Sequence, residues 1–126
     1  MTVTTIGLAH AVQGLEQVLR SFRPDANPNS WRWQVRQQMA GLRDALIAET
    51  GTGADGWTAA REIGALRERN ALLARLSALG TEVLERADVA ALRDDLRRLV
   101  DDVRRHMQRL HDLAYDQVEL ELGGSE

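Results

Sequence analysis

VAALRDDLRRLVDDVRRHMQRLHDL, residues 89–113, decides the fold. Its stripe Val89, Leu92, Leu96, Leu99, Val103, His106, Leu110, Leu113 alternates spacings of three and four, which puts every member on one face of a single helix. One member is polar. His106 stands where a leucine would complete an ordinary core seam. An unpaired polar group buried there costs about 1–3 kcal/mol, so the imidazole needs a partner. Two readings stay open: a hydrogen-bonded structural histidine, or a metal ligand.

Upstream, three more amphipathic stripes are separated by breaker sequences. Leu8, Val12, Leu15, Leu19 and Phe22 form the first, ending at Arg23-Pro24, and Asn29 or Ser30 can cap the next helix. Trp31, Val35, Met39, Leu42, Leu46 and then Glu49 form the second, stopped by the glycine-rich run from Thr50 to Gly56. Ala59, Ile63, Leu66, Asn70 and Leu73 form the third, with Leu79-Gly80 as its glycine stop. Asp88 caps the fourth, and Gly123-Gly124 ends it. Four such helices on short connections predict one all-α domain over residues 1–126, an antiparallel up-down four-helix bundle. The C-terminal helix is over-long. From Asp88 to Leu120 it spans about 45–50 Å, against about 35 Å for Trp57 to Leu79. Leu113, Tyr115, Val118 and Leu120 would then be poorly covered in a monomer, which predicts a homodimer through that helix.

Composition agrees with this class and narrows the function. The chain has 126 residues, 44% hydrophobic, 28% charged and only 4% aromatic, a globular balance rich in helix formers. A net charge of -3 argues against a nucleic-acid partner. All 16 cations are arginine. With no cysteine, disulfides, zinc–thiolate sites and thiol nucleophiles are excluded. No stretch approaches the roughly 20 apolar residues of a membrane span, and the N-terminus lacks the pattern of a signal peptide. A cytoplasmic protein without membrane partners is expected. In the fourth helix, Asp94-Asp95 precede Arg97-Arg98 and Asp101-Asp102 precede Arg104-Arg105, as on a solvated, ion-paired face.

Each of the last three stripes holds one misplaced polar residue: Glu49, Asn70 and His106. Carboxylates and imidazoles projecting into a bundle are how ferritin-like folds hold iron or manganese. If the second hairpin pivots near Gly53 and the third near Val83 or Leu84, Glu49, Glu62 and His106 share a level. His10 falls at about that depth on the first helix, although its spacing puts it half a turn off the stripe. His111 flanks the stripe. Asn70 lies about 12 Å or more away along the axis. The plain alternatives are a Glu49 fraying at its helix end, an Asn70 that fixes register, and a His106 bonded to Glu49 or Glu62.

The segment Arg105-His106-Met107-Gln108-Arg109-Leu110-His111-Asp112-Leu113-Ala114-Tyr115, closing on Glu121-Leu122-Gly123-Gly124, resembles the C-terminal helix of the hemerythrin-like (HHE cation-binding) family. Leu42-Arg43-Asp44-Ala45-Leu46 in the tryptophan-bearing second helix and Leu66-Arg67-Glu68-Arg69-Asn70 extend the likeness in layout. The resemblance implies a four-helix bundle binding two irons through histidines and carboxylates, in proteins that carry oxygen, sense it or handle iron. It implies ligands at His106, Glu49 and His111. The family's third-helix histidine is Asn70 here, and Ala48-Glu49-Thr50 stands where the second helix would supply another.

The expected function is therefore a non-catalytic interaction or scaffold bundle with a vestigial metal site, with no cofactor expected. The alternative is an iron-binding protein with a reduced site at His106, Glu49 and Glu62, with His111 and His10 near it. An enzyme is not expected. The Gly51–Gly56 run precedes no lysine, and Ser30, Ser77 and Ser125 have no base in a recognised arrangement.

Overall fold

The computed structural model describes residues 3–49 and 56–123, with side chains over 6–49 and 62–115. Four helices make up the fold: α1 (Val3–Arg20), α2 (Pro28–Ile47), α3 (Gly56–Glu85) and α4 (Val89–Gly123). Each packs on its neighbour in the chain, and α1 closes the ring against α4. That is the up-down bundle the spacing predicts. The core is Leu8, Val12, Leu15 and Leu19 of α1, Val35, Met39, Leu42 and Leu46 of α2, Leu72, Leu76 and Val83 of α3, and Leu92, Leu96, Leu99 and Val103 of α4. No helix among the described residues is long and apolar enough to cross a membrane.

Three local expectations are corrected. α2 begins at Pro28 with Asn27 as its cap, the Asn27 Oδ1 accepting from the Asn29 N–H at 3.0 Å, rather than at Asn29 or Ser30. Proline lacks the donor that the first helical position would leave unused, so it starts the helix early. α3 does not stop at Gly80; it runs on to Glu85, because Val83 continues the buried face past the glycine. The buried face of α3 is also not Ile63–Leu66–Asn70: Ile63 is 50% exposed, Leu66 37%, and Asn70 is exposed. Leu72, Leu73, Leu76 and Leu79 are apolar on two adjacent faces, and packing selects the Leu72–Leu76–Val83 line. The cap at Asp88 stands as expected, its Oδ1 accepting from the Ala91 N–H at 3.0 Å.

Arginine closes the helix ends. Helix C-termini carry unsatisfied carbonyls and the negative end of the dipole. Arg93 Nε donates to the Leu19 carbonyl at the end of α1 (3.0 Å). Arg69 Nη1 donates to that of Glu49 after α2 (2.9 Å). Arg32 donates to Val83 and Arg86 at the end of α3 (2.9 and 2.7 Å). The forked guanidinium reaches such carbonyls across a helix interface while its stem packs on apolar neighbours. At the same end, Trp31 Nε1 donates to the Val18 carbonyl at 2.8 Å and its ring lies 5.0 Å from Phe22. The charged flanks of α4 also grip their neighbours. Asp95 and Asp102 make weaker contacts with Arg98 and Arg105 along α4, but their short bonds go to Arg86 (2.6 Å) and Arg75 (2.5 Å). Arg104 reaches Glu16 of α1.

Helix lengths set the shape of the other end. By a rise of about 1.5 Å per residue, α1 and α2 are about 27 and 30 Å long and α3 and α4 about 45 and 52 Å. α4 is the longest, but α3 accompanies it. The overhang is therefore a paired α3–α4 arm that continues past the end of α2.

Candidate functional site: a buried imidazole between two carboxylates

α4 places His106 on its seam, one turn beyond Val103, and the side chain is fully buried. The end of α2 and the middle of α3 reach it from two sides. Glu49 Oε1 and Oε2 lie 2.8 and 3.0 Å from Nε2, and Glu68 Oε1 lies 2.7 Å from Nδ1. Glu49 follows the last turn of α2 and is itself buried, so it does not fray into solvent. Glu68 is partly open and shares its other oxygen with Arg109 of α4. Arg69, next to it, holds the Glu49 carbonyl, while its Nε is buried without a hydrogen-bond partner.

With both carboxylates ionised only the protonated ring satisfies this arrangement, because a neutral imidazole has one donor and one acceptor nitrogen, and here both nitrogens face carboxylate oxygens. Burial by itself pushes the His106 pKa down. The hydrogen bonds to Glu49 and Glu68 and their charges outweigh it and hold the value above the ordinary histidine range. Below that raised value the ring is a buried cation joining α3, α4 and the segment that follows α2.

The residues predicted for a metal layer are only partly brought together. Glu49 and His106 meet as expected. Glu68, not Glu62, supplies the α3 carboxylate. Glu62 is half-buried six residues earlier, about 9 Å along the axis. His111 is half-buried and His10 exposed, and neither joins the three. Asn70 is turned to solvent, where its Oδ1 lies 3.5 Å from Arg69 Nη2.

The iron implied by the hemerythrin-like resemblance does not fit this donor set as arranged. A ligating histidine turns one bare nitrogen to the metal and donates from the other. Here the two nitrogens point to opposite sides of the ring, and each meets one carboxylate, so the two acids cannot share an ion with it. Among the described residues no group of three His, Asp or Glu side chains is placed to hold a metal ion. The ring is also shut off from substrate, and neither nitrogen offers a lone pair to take a proton. The residues missed from sequence are Glu68, Arg69 and Arg109. Their signal was the α3–α4 connection: a hairpin turning at residues 86–88 pairs position 106 with position 68.

Comparison with protein-family models, with curated proteins and with solved structures finds no match for this chain.

Proposed function

We propose that this chain is a non-catalytic helical-bundle interaction protein whose open end, built on the α3–α4 arm, binds a second copy of itself. The observation that carries this is where apolar surface is exposed. Of the large exposed hydrophobic side chains among the described residues, Ile6, Ile47, Ile63, Leu66 and Tyr115 lie toward the open end, and only Trp33 lies away from it. Exposed apolar groups gathered in one region mark an interaction site, whereas scattered ones need no explanation. A two-helix arm is also half of a four-helix cross-section. An identical arm related by a twofold axis supplies the missing half.

Size sets the strength. About 18 Å of two helices, each about 10 Å wide, presents a face of about 360 Å² per copy. Together the two faces give about 700 Å², below the roughly 1,200 Å² of a stable complex, so self-association is concentration-dependent and in the micromolar range or weaker. Val118 and Leu120, expected to take part, have side chains outside the described residues. The hemerythrin-like resemblance enters this reading as the origin of a scaffold that keeps the bundle and uses the His106 position structurally.

Sedimentation velocity from about 10 µM to 1 mM tests the reading over the range that an interface of this size allows. A reversible monomer–dimer shift is expected, lost in Ile63→Glu/Leu66→Glu and kept in Trp33→Ser. A strict monomer at the highest concentration overturns it.

A further inference from the structure

We propose that Glu68, His106 and Glu49 form a proton-operated latch at the root of the arm, which loosens when the ring loses its proton and leaves Glu68 of α3 held to α4 by Arg109 alone. This goes beyond the self-association reading and stands whether or not the open end binds a second copy.

The argument rests on which nitrogen keeps the last proton. Glu49 offers both carboxylate oxygens to Nε2 and is buried. Glu68 offers one oxygen to Nδ1, has its other on Arg109 and is more open to water. A bare, buried carboxylate is the stronger acceptor and the worse one to abandon. The neutral ring therefore keeps its hydrogen on Nε2 and turns a lone pair from Nδ1 toward Glu68. Two acceptors face to face repel, and Glu68 has somewhere to go: Arg109 and solvent. What is weakened is the α3 side, left on Arg109 and water, at the point where α2 ends and ceases to pack beside it.

Other charges around the ring do not compete for this role. α1 brings His10, which is exposed, and Glu16, bonded to Arg104 and Arg20. α2 brings Glu49. α3 brings Glu68 and Arg69, whose guanidinium is held on the Glu49 carbonyl. α4 brings Arg109, on Glu68, and Arg105, on Asp102. The cation is stabilised by the two carboxylates in direct contact with it. Because the folded ring holds its proton more tightly than an unfolded one, the latch is fully closed below the ordinary histidine pKa of about 6.5 and opens as pH rises through the folded value.

The test is nitrogen NMR of the ring alongside amide hydrogen exchange across pH 5–10, on the full chain. The His106 ring is expected to titrate above the ordinary histidine value and to be neutral as the Nε2–H tautomer. Protection factors at 65–69 should fall about tenfold across that titration, the effect of losing one hydrogen bond to a charged group, while those at 44–47 hold. In Glu68→Gln, whose amide can serve either form of the ring, the step at 65–69 disappears. Titration at or below the ordinary value, an Nδ1–H neutral ring, or flat protection through the transition each overturn the latch.

Discussion

Replacing His106 with leucine removes the hydrogen bonds the Glu49 carboxylate makes at 2.8 and 3.0 Å and leaves that acid buried on an apolar seam. Breaking one side of a buried ion pair costs about 3–5 kcal/mol, because the remaining charge is left without compensation. Two effects reduce that figure. Leucine suits the seam between Val103 and Leu110 and avoids burying an imidazole. Glu49 also lies past the last turn of α2, so its backbone can shift to let the carboxylate reach water. Glu68 adds little to the loss, since Arg109 and solvent remain to it. The expected net cost is about 2–3 kcal/mol at pH 6, or a fall in Tm of roughly 10 °C for a chain of this size. Urea denaturation followed by far-UV circular dichroism measures it. The double variant Glu49→Leu/His106→Leu is the discriminating partner: with both charges gone it should return to within about 1 kcal/mol of the parent. A His106→Leu protein as stable as the parent, or a double variant no better than the single, would refute the buried-cation account.

Four further outcomes follow from the same contacts. Gly80→Ala should stabilise by about 0.5–1 kcal/mol in urea, since the position is inside α3 and an added Cβ meets nothing closer than Met39 Cε at 3.9 Å. Asp88→Ala should cost about 1 kcal/mol by the same measurement, through loss of the α4 cap. Arg32→Met should cost about 1–3 kcal/mol by leaving the Val83 and Arg86 carbonyls without their donor, with the loss of amide protection concentrated at the end of α3. Stability should also fall toward acid. The hydrogen bonds from Arg104 and Arg86 hold the Glu16 and Asp95 carboxyls below their ordinary range, so their contribution is present above that range and lost as pH drops through the folded values. Urea midpoints between pH 2 and 6 check this, with Glu16→Gln/Asp95→Asn flattening the slope.

The bundle was legible because its long seams are unambiguous. In α1, α2 and α4 the main apolar line is the one that packs: its central positions are buried, and Phe22, Val89, Leu110 and Leu113 at the stripe ends are partly buried. α3 was harder for a physical reason. Its leucines at 72, 73, 76 and 79 cover two faces, so periodicity has two solutions, and Ile63 and Leu66 favour the one that packing does not use. Glycine misled in the same helix. A glycine after leucine is a common helix stop, yet Gly80 lies in mid-helix, close enough to α2 for its carbonyl to take a bond from Arg36 (3.2 Å).

That one misplaced end accounts for the error in the site. Antiparallel helices pair positions whose numbers sum to twice the pivot, so moving the turn from residues 83–84 to 86–88 shifts the residue opposite His106 toward the C-terminus of α3. The opposite position then falls at about 68 instead of about 61, and the carboxylate at the ring becomes Glu68 rather than Glu62. The error is one of register: the spacing of α4 showed that a buried histidine there needs a partner, and the fold supplies two acids. What spacing could not show is that the acids sit at opposite nitrogens. Whether two carboxylates meet one nitrogen or both is fixed by the angular positions of α2 and α3 around α4, and a period of 3.6 residues along one helix carries no information about its neighbours' azimuth. The same two residue types, glutamate and histidine, can therefore read as half a metal site in sequence and close, in the folded chain, around a proton.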